Sequence, residues 1–126
     1  MAESSRSSDA IGRLEAICID VSDIERAATF WGALLGFQPG RPDRGWVKVG
    51  NLTSDTRLIL QQVPEDKIIK NRVHLDLYVD DVEQAVQQLE VRGGTKLEDR
   101  DDGQGPFSVM ADPDGNEFCI FKPTSN

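Results

Sequence analysis

The stretch VHLDLYVDDVEQAVQQLEVRGG, residues 73–94, holds the only histidine of the chain, and its reading decides the fold. In the first part, Leu75, Leu77 and Val79 alternate with His74, Asp76 and Tyr78, the two-residue period of a strand that buries one face. Asp80 and Asp81 then offer helix-capping carboxylates. Val82, Ala85, Val86 and Leu89 follow at three- and four-residue spacing until Gly93 and Gly94 stop the helix. Downstream the signals are strand near 95–98, a Gly/Asp-rich loop DRDDGQG at 99–105, strand near 107–111, the turn DPDG at 112–115 and a closing strand 117–121.

The same order occurs earlier. LEAICIDV (14–21) reads as a strand, Ser22 and Asp23 as a cap, and Ile24, Ala27, Ala28, Trp31, Leu34 and Leu35 as the buried stripe of a helix closed by Gly36. The turn-prone PGRPDRG (39–45) and strands near 46–49 and 57–63 complete the half. At a shift of 58 residues Val21 falls on Val79, Asp23 on Asp81, Glu25 on Glu83, Ala27 on Ala85 and Gly36 on Gly94. The second half reads β-α-β-β-β, and the first, with three strands placed, is assigned the same order. The expected fold is α+β: two tandem βαβββ modules, 13–64 and 71–122, forming a cupped mixed sheet with the helices on the outer face. They make one domain, 13–123, behind a disordered tail, 1–12.

Bulk properties narrow the function. With 126 residues, 38% of them hydrophobic, the chain is large enough for one core and too small for two full domains. No apolar run approaches the roughly 20 residues that span a bilayer, and the Ser-rich start lacks the apolar segment of a secretory signal, so the expected location is the cytoplasm. A net charge of -8 opposes encounter with nucleic acid or an anionic membrane surface. A small-molecule ligand remains as the expected partner. Cys18 and Cys119 lack metal-type pairing and are expected to stay reduced.

Strand alternation divides the two faces. Ile17, Ile19 and Val21, with Leu58, Leu60, Leu75, Leu77, Phe118 and Ile120, should meet the helices. The opposite face then carries Ala16, Cys18, Asp20 and Gln61 in one half and His74, Asp76, Tyr78, Glu117 and Cys119 in the other. Trp46, after a Gly/Pro-rich turn, is placed to stack on a ligand, whereas Trp31 lies in the helix stripe and reads as core. Phe107, Ser108 and Met110 are expected along the same cavity, with the 99–105 loop as a cover. Asp20, Asp76, Tyr78 and Glu117 would ring its opening. GGT at 93–95 ends a helix rather than opening one, so it is no phosphate cradle.

The two modules, the entry VSDIERAATFWGALLGF (21–37), the second entry at 73–94 and the closing ADPDGNEFCIF (111–121) resemble the glyoxalase, bleomycin-resistance and dioxygenase superfamily, also called the vicinal oxygen chelate proteins. The likeness covers nearly everything from Leu14 to Lys122, and NRVHLDL with FCIF is similar to its glyoxalase-like subgroup. The resemblance implies metal ligands at Ala16, Gln61, His74 and Cys119. Here the chain departs from the pattern: Ala16 has no donor, Gln61 offers a neutral amide, and a Cys119 thiolate is too soft for an oxygen-rich site. The expected cofactor is therefore none, a divalent ion on one imidazole and one amide being weakly held.

The resemblance implies two functions. The first is a small-molecule-binding protein with a degraded metal site, taking a metabolite or natural product through Ala16, Trp46, Gln61, His74, Asp76, Phe107, Met110 and Cys119. The alternative is a metal-dependent lyase or isomerase of the glyoxalase type with His74 as acid-base group. A homodimer is implied in either case.

Overall fold

A computed structural model describes residues 13–101, 103 and 105–123; the tail expected at 1–12 lies outside them. The elements run β1 (Ala16–Val21), α1 (Ile24–Leu35), β2 (Trp46–Asn51), β3 (Arg57–Gln62), β4 (Leu75–Tyr78), α2 (Val82–Glu90), β5 (Thr95–Asp101), β6 (Pro106–Ala111) and β7 (Glu117–Phe121). The fold is mixed α+β. Its strands form two sheets, ordered β1-β3-β2 and β4-β7-β6-β5, with β1–β3 and β4–β7 parallel and the remaining pairs antiparallel.

Both helices start where the sequence places a capping carboxylate. Asp23 accepts from the Arg26 amide and Asp81 from the Gln84 amide, each satisfying a donor that the first helical turn leaves unpaired. Gly36 ends α1 in the left-handed region at φ 77°, which a side chain would disfavour. α2 stops sooner than its glycines suggest: it ends at Glu90, and Gly94 donates back to the Leu89 carbonyl.

The first module corrects the expected pattern, being β-α-β-β rather than β-α-β-β-β. Pro39 and Pro42 are the reason, since neither has an amide hydrogen and a strand through them cannot keep a ladder. What survives is a Gly40 amide donating to the Lys48 carbonyl and an isolated bridge between Asp43 and Trp46. Two further bounds move. β4 begins at Leu75, so His74 immediately precedes the strand; β5 runs on to Asp101, taking up the first three residues of the expected loop.

Helix α1 packs on β2 and β3, and α2 on β5 and β6. Between helices and sheets lie Val47, Val49, Leu58, Leu60, Met110, Phe118 and Ile120, all buried. Trp31 and Phe30 reach out of the first module to Phe118 in the second, with ring centroids 5.2 and 6.1 Å away. Trp31 Nε1 also donates to Asp112 Oδ2 at 2.9 Å. Asp112 opens the DPDG turn, and its other oxygen accepts from the amides of Asp114 and Asn116. Burial pushes its carboxyl above the ordinary value, opposed by the Trp31 and Asn116 hydrogen bonds.

The turn ties the modules together at further points. Asp114 accepts from the amide and hydroxyl of Ser22 and from Arg26 Nη2, and Asn116 Nδ2 donates to the Asp20 carbonyl. Replacing Trp31 with Phe keeps the ring packing but leaves the buried Asp112 short of a donor. We expect Trp31→Phe to lower stability by about 1–3 kcal/mol in chemical denaturation. At the bulge in β2, a Cβ on Gly50 would overlap the Phe37 ring. Gly50→Ala should cost about 1–3 kcal/mol by the same measurement, as overpacking does.

Candidate functional site

Among the described residues no helix packs on the opposite faces of the two sheets, and their residues follow from the ladders. In the first sheet, Trp46 is the register partner of Gln61, Lys48 of Ile59, and Cys18 of Ile59 across the parallel pair. Trp46 is 45% exposed, an unusual state for so large an apolar ring. Gln61 lies beside it and accepts a weak bond from the Cys18 thiol at 3.9 Å. An aromatic plane next to an amide can stack on a flat ligand and hydrogen-bond its edge.

In the second sheet the corresponding face carries Asp76 opposite Cys119 and Tyr78 opposite Phe121, with Phe107 opposite Phe121 on the other side. Phe107 and Phe121 stack at 4.5 Å and 20°, and Phe107 is thereby buried. Tyr78 is 77% exposed. His74 finds its partner in Glu117, Nε2 to Oε1 3.4 Å, and not in its strand neighbour Asp76. Glu117 also receives Lys70 Nζ at 2.7 Å, while Asn71 Nδ2 donates to its carbonyl. The Lys70 hydrogen bond holds the Glu117 carboxyl below its ordinary value, with a smaller contribution from His74.

Met110 is not on this face. It pairs with Phe118, is wholly buried and belongs to the core between sheet and helices, as does the side chain of Ser108, which donates to Asp99. The strand alternates with period two, so Phe107 and Val109 share the open face and Ser108 and Met110 cannot. Sequence reasoning missed Lys70 and Asn71, which lie in the connecting segment 63–74. It named Glu117 only as a rim residue. The signal for that cluster was a lone histidine level with a strand carboxylate.

The four positions where the superfamily holds a metal, Ala16, Gln61, His74 and Cys119, include one side chain with no donor and one thiol. Asp76 is the register partner of Cys119, but its repeat counterpart Cys18 is the partner of Ile59, leaving Gln61 level with Asp20. The two ladders themselves match, Ile17 pairing with Leu58 as Leu75 does with Phe118, so the last strands are related by 60 residues rather than 58. Ala16, level with Arg57, stands four rungs from Gln61, roughly 13 Å along the strand. Burial raises both thiols above their ordinary values, Cys18 helped by Asp20 and Cys119 by Asp76, so neither is a ready thiolate ligand or nucleophile. Among the described residues no three His, Cys, Asp or Glu side chains cluster as a metal site. The donor set does not fit the divalent ion of the superfamily.

Because Glu117 has a depressed carboxyl pKa, its contacts stabilise the folded state above about pH 4.5 and are lost as the pH falls through the lower folded value. Glu117→Gln should flatten that acid-side loss. Urea unfolding at about pH 7 and about pH 3.5 checks it, with a difference between the two proteins of up to about 1 kcal/mol, since Lys70 is solvent-exposed.

The family model described as "Glyoxalase-like domain" matches residues 16–121. Among solved structures, an antibiotic-binding protein, TnmS3 from Streptomyces sp. CB03234, is 25% identical with a TM-score of 0.61, covering 91% of this chain and 98% of that one. A glyoxalase-related enzyme from Fulvimarina pelagi is 19% identical at TM-score 0.67, covering 87% of each chain. The fosfomycin resistance protein FosX from Mesorhizobium loti is 16% identical at TM-score 0.66, covering 91% of this chain and 94% of that one. No curated protein matches. A family match across both modules shows that this chain belongs to the glyoxalase-like domain family.

Proposed function

We propose that this protein binds a small metabolite or natural product on the open faces of its sheets, without a resident metal. The observation that carries the reading is Trp46, half-exposed beside Gln61 on a sheet face that no helix covers. A ring left in water at that position gains by stacking on a flat ligand, and the amide then supplies direction. The antibiotic-binding neighbour, 25% identical over nearly its whole length, supports a binding role. The ligand-contact set is Trp46 and Gln61 with Ala16 in the first sheet, and His74, Asp76, Phe107 and Cys119 in the second.

A second reading rests on one observation, the His74–Glu117 pair. An imidazole held by a carboxylate is an arrangement that general acid-base catalysis uses, which favours a lyase or isomerase of the glyoxalase type. The poor metal donor set weighs against it. We further propose that the protein works in the cytoplasm as a homodimer, which would cover strand edges and exposed Tyr78.

A thermal-shift screen of metabolites, antibiotics and divalent metals tests the binding reading, because a ligand that binds only the folded state raises the melting temperature. We expect an organic ligand to give the shift, a metal alone to give none, and Trp46→Ala to weaken binding about tenfold, the cost of losing roughly 1.4 kcal/mol of stacking. Turnover of methylglyoxal and glutathione in the presence of nickel or zinc would overturn it in favour of the enzyme. Sedimentation velocity checks the dimer, and a monomer at working concentration would remove it.

A further inference from the structure

A second cavity lies away from the open faces, where the modules meet. It has a volume of about 860 Å³ and is bounded by the end of β1 at Asp20, the first turn of α1 at Arg26, the DPDG turn at Asp114 and the connecting segment from Lys67 to Arg72. None of Trp46, Gln61, His74 and Cys119 lines it.

Asp114 is its unusual member. The side chain is 5% exposed, and Oδ1 is fully engaged by the Ser22 amide, the Ser22 hydroxyl and Arg26 Nη2. Oδ2 is buried and has no hydrogen-bond partner among the described residues. A buried carboxylate oxygen without a donor is costly, so native structures seldom leave one unsatisfied. Lys67, a second cation lining the cavity, is turned elsewhere: its stem passes over Gly115, while its ammonium donates to the Ile69 carbonyl at 2.6 Å.

Lys67 belongs to the segment 63–74, which forms no helix or strand. It is fastened to β7 at Glu117 through Lys70 and Asn71, on the far side of Lys67 from β3. Next to Lys67 the segment presents Ile68 and Ile69, 90% and 77% exposed. Two adjacent isoleucines in water beside a buried acceptor make an amphiphilic lining. Lys67, Ile68, Ile69 and Asp114 all line the one cavity.

We propose that this inter-module cavity binds an amphiphilic organic cation, a primary or secondary ammonium on a short apolar chain. The ammonium donates to Asp114 Oδ2, a charge-assisted bond that supplies the missing donor, and the chain lies against Ile68 and Ile69. Arg26 does not compete for that place because it engages the other oxygen, and a carboxylate accepts about four hydrogen bonds in all. The overall charge of -8 favours the approach of a cation.

The test titrates the full chain with n-hexylammonium and, in parallel, with n-hexanol, following backbone amides by NMR. The expected result is saturable movement of the Ser22, Gly115 and Lys67–Asn71 amides with the ammonium and not with the alcohol. Asp114→Asn preserves an acceptor for Ser22 and Arg26 but presents an amide donor where the ligand needs an acceptor, so binding should weaken about tenfold or more. Ile68→Ser with Ile69→Ser, on fully solvated positions, should weaken it without altering the fold. Trp46→Ala should leave it unchanged, which separates this cavity from the open-face site. Equal response to hexanol, movement confined to the Trp46 and Gln61 face, or undiminished binding in either the Asp114 or the isoleucine variant overturns the proposal.

Discussion

One buried hydrogen bond, from the Trp31 indole to the Asp112 carboxylate, joins the two halves of the molecule, and much of the remaining architecture depends on it. A charged group in a core is tolerated only when its oxygens are occupied, and Asp112 meets that condition with the indole, two turn amides and the Asn116 side chain. The turn so fixed delivers Asp114 to the start of α1 and Asn116 to the end of β1. Helix α1, a first-module element, thereby becomes the packing partner of Phe118 in the second. The two sheets share no ladder, so side chains and this turn, rather than backbone pairing, set their relation.

That arrangement frees one face of each sheet for chemistry. With both helices on the far side, Trp46, Gln61, His74, Asp76 and Cys119 answer only to their ladder neighbours. The chemistry they present is an indole, an amide, an imidazole held by a carboxylate, and two thiols whose pKa burial and nearby acids raise. The connecting segment adds to it, because Lys70 and Asn71 bind Glu117 and so attach an otherwise irregular stretch to the edge of the second sheet.

Much of this was legible in the residues. Capping aspartates, stripe spacing and strand alternation place α1, α2 and the buried faces correctly, because each is a local rule with a local cause. The first module's order is overcounted: the residues mark strands only at 14–21, 46–49 and 57–63, the segment with Pro39 and Pro42 reads as a turn, and the structure has those three strands. Met110 was misplaced through ignoring the parity that Phe107 and Phe118 impose. The change of offset from 58 to 60 at the last strands was not legible at all. A repeat found by counting residues assumes equal loops, and a difference in loop length leaves no mark on the pattern within the strands.

The change of offset leaves unlike residues on equivalent rungs. Ile59 stands level with Cys18 in the first half, where Cys119 stands level with Asp76 in the second. The two halves are alike in backbone and different in surface, and a guest lying across both would meet hydrocarbon beside a thiol at one end and a thiol beside a carboxylate at the other.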